Sequence, residues 1–274
     1  MTDEFRNKQL VEACEPIRRD DPDLGARVLD ASREIAAVAS EVGLKNVEPW
    51  NNHKAHEFRV WCQTARIAWA SGRDLNPAIR LTFSELIILC VCCFFHDLYA
   101  VRRVVEETIE HASAEDKILK KAQKILIRLE HMIGGAKKAR AVLIGRPDLI
   151  SSVDLRRAVG LIAMHDLCKV GCPWPLISDF LALYFFEGDV LWPLDPEFGP
   201  LADLQRKGIM EPDWGMLRKQ AESNLNTQLL SYPKTSFDGV MEEFRGGTLM
   251  RTAEGAKILA EYLRYWKIEA PAGL

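Results

Sequence analysis

Apolar residues recur at three- and four-residue intervals along most of the chain, the spacing that lines one face of a helix, and alternating β-branched runs are scarce. This pattern predicts an all-α protein. The first helices fall at 3–19 and 23–42. A third spans 51–70, where Phe58, Cys62, Ala65, Ile67 and Ala68 share a face, and Gly72 through Pro77 break it. Thr82-Phe83-Ser84-Glu85 has the form of a capping box and opens a helix that carries an uninterrupted apolar run, 86–95, to near Tyr99. Further helices are expected at 113–143, at 155–169 (stopped by Gly171 and Pro173), and at 176–186, with Gly188 breaking the last before Asp189. Beyond Trp192 the chain is Pro-rich to Pro212. Helices follow at 213–230 and 251–266, with a loop or lid at 232–247 between them. No linker divides the chain, so one domain over 1–274 is expected, with a core at about 50–195 and a C-terminal extension over 196–274.

Composition changes this picture little. Nearly half the residues are apolar and 27% are charged, as in an ordinary globular protein. The net charge of −3 gives no bulk attraction for a nucleic-acid polymer. The ten apolar residues of 86–95 are too few for a bilayer-spanning helix, which needs roughly 20. With a polar N-terminus, this leads to the expectation of a cytoplasmic protein with no membrane partner. The seven cysteines have no repeating spacing. Cys90, Cys92 and Cys93 read as small buried hydrophobes, and Cys168 and Cys172 are at most half of a zinc site.

The chemistry lies where apolar runs end. Residues 86–95 deliver His96-Asp97, residues 159–164 deliver His165-Asp166, and residues 180–186 lead to Asp189. A buried unpaired charge is costly, and a shared metal ion removes that cost for several such helix ends together. Mixed histidine and carboxylate ligation suits iron, manganese, cobalt, nickel or zinc.

The order of these residues carries a resemblance. His56-Glu57-Phe58-Arg59-Val60 resembles the H-x-x-R-V opening of the HD superfamily, and Phe94-Phe95-His96-Asp97 its apolar-apolar-His-Asp signature. His131-Met132-Ile133-Gly134-Gly135-Ala136 resembles the H-x-x-x-G-A element of dinuclear members. The apolar helices ending at His165 and Asp189 complete the order, and the likeness covers about residues 50–195. His53 and His111 are weaker competitors for His56 and His131.

The resemblance implies an HD-type helical bundle with additional N- and C-terminal helices, and a centre of one or two divalent ions. His56, His96, Asp97 and Asp189 would bind the first ion. Asp97 would bridge to a second, held also by His131 and His165. The implied activity is metal-dependent phosphohydrolysis of a small phosphorylated substrate, nucleotides included. Some members are instead mixed-valence di-iron oxygenases that cleave a C–C or C–P bond, and a non-catalytic ligand-binding module is a third reading. The chain departs from the family's His-Asp-x-Gly-Lys form at Leu98-Tyr99-Ala100. Lys169, one helical turn beyond His165, is the substitute candidate for meeting a phosphate, with Arg102 and Arg103 as further candidates. Asp166 or Glu187 would move protons. Trp192, Pro193, Trp214, Phe244 and Arg245 are candidates for closing over a substrate. A homo-oligomer is compatible with the sequence.

Overall fold

A computed structural model describes residues 3–44, 56–98, 114–165, 179–197, 199, 202, 250 and 252–266. Among them are eight α-helices and no strand: α1 (Asp3–Asp20), α2 (Pro22–Leu44), α3 (His56–Ser71), α4 (Phe83–Phe95), α5 (Ala114–Leu143), α6 (Ser152–Ile162), α7 (Phe180–Leu191) and α8 (Ala253–Tyr265). A 3₁₀ turn, Trp192–Leu194, follows α7 directly. The expected helix at 213–230 and lid at 232–247 lie outside the described residues, as do Cys168 and Cys172.

Local chemistry sets the helix starts. Asp21 accepts from the Leu24 amide and Pro22 takes the first position of α2, where a missing N–H costs nothing. The Thr82 capping box is present with both of its hydrogen bonds. Ser151 caps α6 and Asp179 caps α7 through their side chains.

Helices α3 and α4 form the centre. α3 packs on α1, α4, α7 and α8, while α4 packs on α2, α3, α5, α6 and α7. A helix with neighbours on all sides must be apolar all round. Every residue from Glu85 to Phe95 is buried accordingly, and burial pushes the thiols of Cys90, Cys92 and Cys93 well up. One apolar cluster runs through all eight helices. No described helix is long and apolar enough to cross a membrane.

Two elements differ from the sequence expectation. α7 runs through Gly188 to Leu191 instead of stopping before Asp189. The glycine marks a helix crossing: a Cβ there would lie 2.1 Å from Thr64 Oγ1 on α3. α6 ends at Ile162, short of the expected 169, because i→i+3 bonds from Met164 to Leu161 and from His165 to Ile162 tighten the chain into a turn.

Candidate metal centre

Five helices bring side chains to one point. His56 is the first residue of α3, and His96 caps the C-terminus of α4 with Asp97 next to it. His131 lies on α5, His165 in the turn after α6, and Asp189 on the last turns of α7. Gly135 explains how α5 comes close enough. A Cβ there would sit 2.6 Å from the His96 carbonyl oxygen, so only glycine lets the helix approach the end of α4. His131, one turn earlier, then meets Asp97.

The donor atoms form two groups. His56 Nε2 lies 3.0 Å from His96 Nε2, 3.0 Å from Asp97 Oδ2 and 3.6 Å from Asp189 Oδ1. His96 Nε2 is 3.4 Å from the same Asp189 oxygen. On the other side, Asp97 Oδ1 is 2.9 Å from His131 Nε2 and 3.8 Å from His165 Nε2. The triads His56/His96/Asp97 and Asp97/His131/His165 each keep their ligand atoms within 4.8 Å of one another, with Asp97 common to both. Ligands ~2.1 Å from one ion stand ~3–4 Å apart, so this spacing suits a bound cation.

Proton bookkeeping points the same way. His96 Nδ1 donates to the Cys93 carbonyl at 2.9 Å, and His165 Nδ1 to the Ile162 carbonyl at 2.7 Å. A carbonyl only accepts, so each neutral ring carries its proton on Nδ1 and its lone pair on Nε2. Those lone pairs face carboxylate oxygens and, for His96, another imidazole nitrogen. Acceptors facing acceptors repel unless protons or a cation lie between them. A second hydrogen bond that fixes tautomer and ring orientation is the usual support of a metal-binding histidine. His/Asp residues that can hold a metal are therefore gathered here, and the donor set fits a divalent ion.

Without the ion, protons take its place. Burial opposes charge on His96, but Asp97 and Asp189 outweigh it and lift the imidazole from 6.5 to about 10. Burial likewise works against the Asp97 carboxylate, yet His96, His131 and His56 hold it well below its usual 3.8. The walls are aromatic: Phe185 lies against His96 and His165, and the Trp192 ring meets His56 edge-on at 4.3 Å. The His96 side chain is 1% exposed and that of Asp97 35%, so the cluster opens on the Asp97 side.

Of the residues singled out in the sequence, His56, His96, Asp97, His131, His165 and Asp189 converge. Lys169 and Asp166 lie outside the described residues, as do Arg102, Arg103, His53, His111, Trp214, Phe244 and Arg245. Glu187 has a different place from its neighbour Asp189. It is fully buried and accepts from the amide and hydroxyl of Thr252, the N-cap of α8. Two residues apart on a helix point about 200° apart, so Glu187 faces away from the cluster.

Sequence reasoning passed over Asp195. It is fully buried, six residues beyond Asp189, and accepts from Arg59 Nε (2.9 Å), Gln63 Nε2 (3.2 Å) and the Tyr262 hydroxyl (3.2 Å). Arg59 also reaches Glu12 and Gln9 on α1. The available signal was an Asp between Leu194 and Pro196, in a segment otherwise apolar. In comparisons with known proteins, no family model, curated protein or solved structure matches the chain.

Proposed function

We propose that the chain is a metal-dependent phosphohydrolase of the HD type, with two divalent ions held by the two triads and Asp97 between them. The observation that carries this reading is the shared carboxylate: Asp97 Oδ2 lies 3.0 Å from His56 Nε2 and Asp97 Oδ1 2.9 Å from His131 Nε2, so one residue would serve both ions. Asp189 adds a second carboxylate to the His56/His96 side. A pair of ions held this way would supply Lewis acidity, an activated water and a template for a phosphoryl group. The protein's part is to fix the ligands, with Phe185 and Trp192 shielding the inner rings and the partly exposed Asp97 and His131 side admitting a small phosphorylated molecule. Phosphate release from a panel of nucleotides and phosphate esters, measured with the metal-loaded protein, tests it. Turnover that disappears in Asp97→Ala is expected. A fully loaded protein that turns over none of them overturns the hydrolase assignment.

One feature favours a second reading. Four imidazoles against two carboxylates is a nitrogen-rich set, and imidazole suits redox-active iron as well as zinc. Two irons per chain with a mixed-valence paramagnetic signal and substrate-dependent O₂ uptake would transfer the proposal to a di-iron oxygenase.

A further inference from the structure

We infer that the buried Arg59–Asp195 ion pair is a positioning device for the His56/Asp189 side of the cluster, a role that rests on the metal-centre reading above. His96 and His165 have Nδ1 fixed by backbone carbonyls. His56 does not: its Nδ1 is buried and has no hydrogen-bond partner. Apart from the contacts at Nε2, the ring is held by packing against Trp192, whose ring centroid lies 4.3 Å away. Trp192 opens the turn whose next polar side chain is Asp195, and Asp195 is bound to Arg59, one turn along α3 from His56. The pair therefore ties the start of α3 to the end of α7, the two backbone segments whose ligands must stand 3.6 Å apart. Both ends are locked from outside the motif-bearing region. Glu12 and Gln9 of α1 hold Arg59, while Tyr262 of α8 holds Asp195 and Gln63. The N- and C-terminal helices thus act on the metal site without touching it.

The test separates positioning from simple stability. Replacing a buried ion pair by apolar residues of similar size commonly leaves stability unchanged, whereas removing one partner does not. Arg59→Met combined with Asp195→Leu is expected to melt, metal-free, close to the wild type, while Asp195→Asn alone melts lower. Cobalt(II) titration then reads the site. The double variant is expected to bind about tenfold more weakly, the loss typical of an outer-shell support, with an altered visible absorption spectrum. Wild-type affinity and spectrum in the double variant overturn the inference. Should that variant fail to fold, Trp192→Leu decides, because it keeps the ion pair and removes the ring that carries its effect to His56. The same weakening and spectral change support the inference, and wild-type behaviour overturns it. Failure of the wild-type protein to bind cobalt at all is a distinct result, which removes the metal-centre reading itself.

Discussion

Single residues at the cluster act by competition between protons and a cation. In the metal-free protein His96 is raised from 6.5 to about 10, so its charged form stabilises the fold fully below about 6.5 and loses that effect as pH rises towards 10. Asp97 is depressed, so its contribution is present above 3.8 and is lost as pH falls further. The metal-bound protein keeps a level stability between pH 6.5 and 9, because its imidazoles must be neutral to bind the ion and are neutral in the unfolded chain as well. The gap between the melting temperatures of loaded and metal-free protein should widen across this interval. A constant or narrowing gap in calorimetry contradicts the proton count at the cluster. His96-Asp97 was legible from the sequence because ionisable residues ending an apolar run need a partner. Asp195 was not, because its partners lie 136 and 67 residues away and no local spacing reports them.

At the scale of elements, close approach sets the geometry. Gly135→Ala would place a methyl 2.6 Å from the His96 carbonyl oxygen, and α5 must move away. A loss of roughly 1–3 kcal/mol in denaturant unfolding is expected from such overpacking, together with weaker binding of one of the two ions. The turn after α3 carries strain of another kind. Asp74 and Leu75 have φ of 53° and 60°, and Asn76 donates to Arg73 to close a two-residue turn that favours Asn-Gly. Leu75 is 48% exposed, so its side chain contributes little burial. Leu75→Gly should therefore stabilise the protein by about 1 kcal/mol, read as a higher denaturation midpoint. An unchanged or lower midpoint would mean that the leucine packs productively. The sequence showed this segment as a break but not its handedness. It also read Gly188 as a helix stop, because a glycine that permits a helix crossing looks the same in sequence as one that ends a helix.

At the scale of the molecule, the core and the site are separable. The shared apolar cluster runs through all eight helices, while the ligands sit at helix ends or on one face of α5. Periodicity made the helices legible, and the order of the histidines and aspartates made the ligand set legible. The way α1 and α8 clasp α3 was not, since it depends on packing between distant segments. Removing metal with a chelator should therefore lower the melting temperature while the helical circular dichroism persists. An ion held at 100 times its Kd accounts for about 2.7 kcal/mol of stability. Loss of the helical signal on chelation would instead make the metal a condition of folding.

The proposed function stands or falls with Asp97 as the residue common to two metal subsites. Elemental analysis of the protein after loading and removal of free metal tests it most directly, with wild type and Asp97→Ala compared side by side. Two divalent ions per chain are expected in the wild type and none retained in the variant. No retained metal in the wild type, or an undiminished count in Asp97→Ala, would contradict it.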